Sequence, residues 1–217
     1  MIEFEKEMMA VLNALNNSDT LPHCVISGSW SMYFYRYIFE GFIPSIATTD
    51  LDIFLPSVKK VQNNNISQVL TDLDYIREDD VLSGKTKFYS KDGFVIEFLT
   101  IPDKTLNNVV MIKPYNIGAE ALPKMAPAGW NYITVDFNGL KVNVVSPVSF
   151  VLQKLLINNE RKSEYKKLKD LDAIKYVLGF VKSSKKYSEE LITSLDSYPK
   201  KWKKTILENA SNNNIDL

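Results

Sequence analysis

The stretch Thr48-Thr49-Asp50-Leu51-Asp52-Ile53-Phe54-Leu55-Pro56 sets two carboxylates two residues apart inside an apolar run. Side chains alternate along a strand, so Asp50 and Asp52 leave by one face, roughly 6 to 7 Å apart, while Leu51 and Ile53 leave by the other. Neighbouring carboxylates repel, more strongly where water is scarce, unless a cation sits between them. A third acid, Glu97, stands between Ile96 and Phe98 in the run GFVIEFLT, where burying a lone carboxylate is costly. If the three converge, their oxygens suit a hard divalent cation, Mg2+ with Mn2+ as a substitute, which completes its shell with water and substrate phosphates. Gly28-Ser29, between a short apolar strand and a helix start, fits the same chemistry. A helix N-terminus has unpaired backbone N–H groups and a partial positive charge, and glycine lets a phosphate come close. Each part also has a plainer reading: Gly-Ser as a turn with Ser29 capping a helix, and Thr48, Asp50 and Asp52 as the solvated face of an edge strand.

Other chemistries have less to stand on. His23 is the single histidine, which excludes a histidine-rich zinc site and leaves any Ser-His-Asp triad resting on one residue. Cys24, the single cysteine, cannot form an internal disulfide and reads as a small core residue. Neither Gly-x-x-x-x-Gly-Lys nor Gly-x-Gly-x-x-Gly occurs. The 26 basic and 26 acidic residues cancel, so no overall field draws the chain to nucleic acid or an anionic membrane. No apolar run approaches the roughly 20 residues that span a bilayer. The start MIEFEKEMMA is unlike a secretory signal, so a cytoplasmic, reducing setting is expected.

The elements that must position these residues follow from periodicity. Phe4, Met8, Val11, Leu12 and Leu15 recur at helical spacing before an Asn-Asn-Ser breaker. A short strand HCVIS, a helix from Trp30 closed by Gly41, the strand of Asp50 and Asp52, a helix in VQNNNISQVLTDLDYI whose Asn-rich start is a loop, and a polar connector containing Gly84 come next. KTKFYSKDGFVIEFLTIP reads as a hairpin about Lys91-Asp92-Gly93. Residues 103–130 read as irregular, with a short helical piece near GAEALPKM. YITVDFNGLKVNVV is a hairpin about Asn138-Gly139, and Ser146-Pro147 begins a run of about four helices. The expected class is α+β: a mixed, mostly antiparallel sheet flanked by helices over residues 1–145, then an all-helical domain over 146–217.

Gly28-Ser29 followed by a helix, then TTDLDIFLP, then VIEFLT resembles the DNA polymerase β-type nucleotidyltransferase superfamily. Within it the nearest likeness is to small bacterial and archaeal nucleotidyltransferase-like proteins, including AbiEii-type toxins of toxin–antitoxin systems. The resemblance implies that Asp50 and Asp52 hold one Mg2+ on a nucleoside triphosphate and, with Glu97, a second that activates an acceptor hydroxyl, with pyrophosphate leaving. It implies Gly28 and Ser29 on the β and γ phosphates. Beyond Ser146 it matches Lys154, Lys169, Asp170 and Arg161 to the helical half. There Lys154 would neutralise charge on the leaving group, and Asp170 would either orient Lys154 or deprotonate the acceptor. The acceptor, a protein, tRNA or small-molecule hydroxyl, has no motif, and an antitoxin partner follows from the toxin likeness alone. Two other readings stand beside this one: a degenerate member of the same fold that binds nucleotide or protein without chemistry, and an interface at Lys200, Lys201, Lys203 and Lys204 around Trp202.

Overall fold

The N-terminal periodicity closes into α1 (Glu5–Asn17), whose Met8, Val11, Leu12 and Leu15 are buried side by side because residues three and four apart share a helix face. The computed structural model describes residues 4–44, 48–56, 65–102, 108–125 and 130–217. Among them a sheet forms from β1 (Val25–Ile26), β2 (Asp50–Leu55), β3 (Ile76–Asp79), β4 (Thr86–Tyr89), β5 (Val95–Thr100), β6 (Val109–Ile112), β7 (Ile117–Ala121), β8 (Tyr132–Phe137) and β9 (Leu140–Val145). Its order is β3-β4-β5-β2-β1-β9-β8, with β7 paired to β5 and β6 to β7. The sheet is mixed: β2–β5, β1–β9 and β5–β7 run parallel, and β1–β2, β3–β4, β4–β5 and β6–β7 antiparallel. β2 is therefore an inner strand, with β1 on one side and β5 on the other, which removes the edge-strand account of its two aspartates.

Three local expectations are corrected. The helix begun at Trp30 is short, α2 (Ser31–Tyr35), and passes into turns well before Gly41. Beyond it the chain crosses from one compact unit to the other: Phe34 and Tyr37 pack against Phe137 in the first, and Phe39 and Phe42 against Phe180 in the second. The helix α3 (Ile66–Thr71) likewise stops early, because Asp74 turns left-handed, and Ile76 opens the edge strand β3 in place of a polar connector. The segment near GAEALPKM is strand β7, not helix. It pairs with β5 and β6, and Gly118 allows a close approach there: a Cβ would lie 1.9 Å from the Gly84 carbonyl oxygen, and the Gly118 N–H donates to Thr86 Oγ1 at 2.9 Å. Tertiary contact overrides the helical preference of alanine and glutamate.

Ser146 caps α4 (Pro147–Ile157), accepting from the Ser149 N–H, and is followed by α5 (Glu164–Ser183), α6 (Lys185–Ser197) and α7 (Lys200–Asn212). The chain divides into two compact units. The first comprises Met1–Ile38, Pro44–Pro123 and Ile133–Val144, with the sheet; the second comprises Phe39–Ile43, Lys124–Tyr132 and Val145–Leu217, with these four helices. No helix among the described residues is long and apolar enough to cross a membrane.

Candidate active site

In the first unit the three acids share one face of the sheet. β2 and β5 run parallel with Asp52 opposite Glu97 and Asp50 opposite Val95, and paired residues on neighbouring strands, about 4.8 Å apart, point the same way. On the other side of β5, β4 places Lys87 opposite Glu97. Lys87, Glu97 and Asp52 thus form a row across three strands, with Asp50 one step along β2. The row opens toward water: Asp50 is exposed and Asp52, Glu97 and Lys87 are half-buried, whereas Leu51, Ile53, Ile96 and Phe88 on the opposite face are fully buried. Thr49 Oγ1 donates to Asp50 Oδ1 at 3.3 Å.

The Gly28-Ser29 turn closes the row's other end. Ser27, which follows β1, sends its backbone N–H to the Asp52 carbonyl at 2.9 Å and its hydroxyl to the same oxygen at 3.3 Å. The next residue has to be glycine. Gly28 adopts φ +60°, and a Cβ there would stand 2.0 Å from Asp52 Oδ2. Ser29 lies within the 3-10 turn Gly28–Trp30, and no side-chain bond caps that turn. The Ser31 hydroxyl fastens it by donating to the Gly28 carbonyl at 2.6 Å. Trp30, immediately after Ser29, is buried and packs edge-on against Phe94.

The donor set has the chemistry of a hard-cation site, since all three acids supply carboxylate oxygen on one face. Among the described residues, no three His, Cys, Asp or Glu side chains close around a common point as placed. Glu97 is instead ion-paired with Lys87, their side chains 24% and 36% exposed. The hydrogen bond to Glu97 holds the Lys87 ammonium above the usual lysine range, against the opposing effect of partial burial, and the negative charges of Glu97 and Asp50 act in the same direction. The charge that cancels over the whole chain also separates: the first unit holds 11 Lys and Arg against 16 Asp and Glu, the second 15 against 10. A polyphosphate approaching the sheet therefore meets a net negative unit, which a divalent cation would offset.

The remaining sequence-derived residues lie in the second unit. Lys154 on α4 and Asp170 on α5 form an ion pair with side chains 11% and 9% exposed, and Arg161 Nε donates to the other carboxylate oxygen at 3.0 Å. Lys154 also sits 5.1 Å from the centre of the Phe150 ring, and the Asn158 amide holds the α4–α5 connection by donating to the Lys167 carbonyl at 3.2 Å. Lys169 is half-buried beside Asp170. Lys200 and Lys201 are exposed, Lys204 is exposed and ion-paired with Glu208 at 3.7 Å, and Lys203 is engaged by Asp196 at 2.6 Å.

A family model described as nucleotidyltransferase matches residues 6–198. The chain belongs to the nucleotidyltransferase family. Two solved structures share its fold: the solution structure of the antibiotic-resistance factor ANT(2'')-Ia, with a TM-score of 0.52, 12% identity, and 94% of this chain and 95% of that one covered; and ANT(2'')-Ia in complex with adenylyl-2''-tobramycin, with a TM-score of 0.52, 11% identity, and 87% and 95% covered. None of the curated proteins compared with the sequence matches it.

For this nucleotidyltransferase, sequence reasoning missed two residues at the row of acids. Lys87 was legible in retrospect: counting outward from the Lys91-Asp92-Gly93 turn pairs residue 89 with 95, 88 with 96 and 87 with 97. Ser27 carried no signal, because its role depends on β1 lying beside β2.

Proposed function

We propose that this nucleotidyltransferase moves a nucleoside monophosphate from a nucleoside triphosphate to a hydroxyl acceptor, releases pyrophosphate, and depends on Mg2+, with Mn2+ as a substitute. The observation that supports it is the single row that brings Asp52 beside Glu97, with Asp50 on the same face and Gly28 against the Asp52 carboxylate. On this reading Asp50, Asp52 and Glu97 hold the divalent ions, whose chemistry when bound is to neutralise the polyphosphate and acidify the acceptor hydroxyl. The turn at Gly28 and Ser29, free of a bulky side chain, receives phosphate oxygens on backbone N–H groups. Asp170, engaged by Lys154 on one oxygen and Arg161 on the other, is a positioning residue for those cations and not a general base.

The acceptor is tried first as a small hydroxyl compound, since a protein of the same fold has been solved with adenylyl-2''-tobramycin, and protein and tRNA fractions are tried in parallel. The wild-type chain and Asp52→Asn are incubated with each of the four triphosphates, Mg2+ and a fractionated cell extract, and products are read by mass spectrometry. The expected result is a nucleotide-sized mass added to one fraction by the wild type and a loss of about 10³-fold in the variant. Triphosphate binding by both proteins with no transfer by either would mean a binding member of the fold. Calorimetry showing no triphosphate binding with Mg2+ present would overturn the reading.

A further inference from the structure

We propose that Lys87 is a built-in counter-cation of the carboxylate row: its ammonium holds Glu97 while no divalent ion is bound and must release it for the ion to bind. The inference rests on the metal-dependent reading above and assigns a new residue to that site.

Three observations carry it. First, Lys87 and Asp52 are the two register partners of Glu97, one on each side, so a single carboxylate faces both the lysine and the paired aspartates. Second, the ion pair between Lys87 and Glu97 is partly withdrawn from water, and two half-buried carboxylates side by side, Asp52 and Glu97, need positive charge from some source. Third, the carboxylate that the lysine engages is the one needed to complete the set of three, and no three acids meet among the described residues while it is engaged. Lysine suits the task because its ammonium is a compact point charge on a flexible stem, able to yield one partner without moving the strand that carries it. A guanidinium would grip a carboxylate in a two-bond fork and release it less readily. The ammonium and the divalent ion are thus competitors for one anionic group, and removing the first favours the second.

The test uses the full chain and Mn2+ alone as probe. Free Mn2+ is titrated by electron paramagnetic resonance into wild type, Lys87→Met, Lys87→Gln and Asp52→Asn, and the unfolding temperature of each is recorded in EDTA and in Mn2+. In both lysine variants Mn2+ affinity is expected to rise about five- to tenfold, the latter corresponding to about 1.4 kcal/mol. Their melting temperatures fall in EDTA and rise more than that of the wild type on adding Mn2+. Two lysine variants guard against one failing to fold. Unchanged or weaker Mn2+ binding in the lysine variants, with Asp52→Asn still weaker than wild type, overturns the role of Lys87 and leaves the metal site standing. Absence of Mn2+ binding in wild type and lysine variants alike overturns the metal-dependent reading and this inference together.

Discussion

Gly28→Ala separates the two demands that the turn makes on its backbone. At φ +60° an L residue with a Cβ costs about 1–2 kcal/mol. The new methyl would also stand 2.0 Å from Asp52 Oδ2 and 3.0 Å from its Cγ, so the carboxylate must swing away. Forcing that side chain off its rotamer costs about 0.5–1.5 kcal/mol. Alanine stiffens the unfolded chain and returns about 0.4–1 kcal/mol, leaving a net loss of about 0.5–3 kcal/mol. At about 2–4 °C per kcal/mol for a chain of this size, the melting temperature falls by roughly 1–12 °C. The assay is urea unfolding of wild type, Gly28→Ala, Asp52→Ala and the double variant. Asp52→Ala removes the obstructing carboxylate and leaves only a Cβ at 3.3 Å, so Gly28→Ala is expected to cost about 1 kcal/mol less in that background. If Asp52 has the proposed metal-holding role, nucleotidyl transfer by Gly28→Ala is expected to fall about 10²-fold, because the methyl misdirects that carboxylate. Equal costs of Gly28→Ala in the two backgrounds would refute the reasoning, since the carboxylate would then not be what the glycine accommodates.

Two further outcomes follow from the buried groups. Asp170→Ala strands Lys154, and Arg161 beside it, without their shared carboxylate; urea unfolding should register a loss of about 3–5 kcal/mol, toward the lower figure because Arg161 reaches solvent, and a loss under about 1 kcal/mol would contradict the pairing. Burial pushes the Cys24 thiol up to about 12 from an ordinary 9.0, so iodoacetamide at pH 8 should alkylate the folded chain about 10³-fold more slowly than the urea-unfolded one. Because the folded chain keeps a proton that the unfolded chain releases, the same shift withdraws stability as pH rises above about 9. Equal alkylation rates would show Cys24 to be accessible.

Much of the fold was legible because its signals are local. The apolar spacing of Met8, Val11, Leu12 and Leu15 is a property of one helix, and Asn138-Gly139 takes positive φ at both positions, 52° and 82°, as a two-residue hairpin turn requires. Ser146-Pro147 announced α4 by the same kind of short-range chemistry. The errors lie where a distant contact decides. β7 carries alanine and glutamate, which favour helix, and its pairing with β5 and β6, together with the close approach of Gly118 to Gly84, makes a strand of it. The helix from Trp30 ends at Tyr35, and the aromatics read as one helix are shared between the two units, Phe34 with Phe137 and Phe39 with Phe180.

Period-two alternation alone placed Asp50 and Asp52 on one side of their strand, and residue chemistry alone marked them, Glu97 and Gly28 for a cation and a phosphate. What alternation cannot say is which strand lies beside which, or in what register. The parallel pairing of β2 with β5, between residues 45 positions apart, set Glu97 next to Asp52, and the antiparallel pairing with β4 set Lys87 next to Glu97. Those pairings are chosen by burial of the whole sheet, a sum over all its strands, so no short segment contains them.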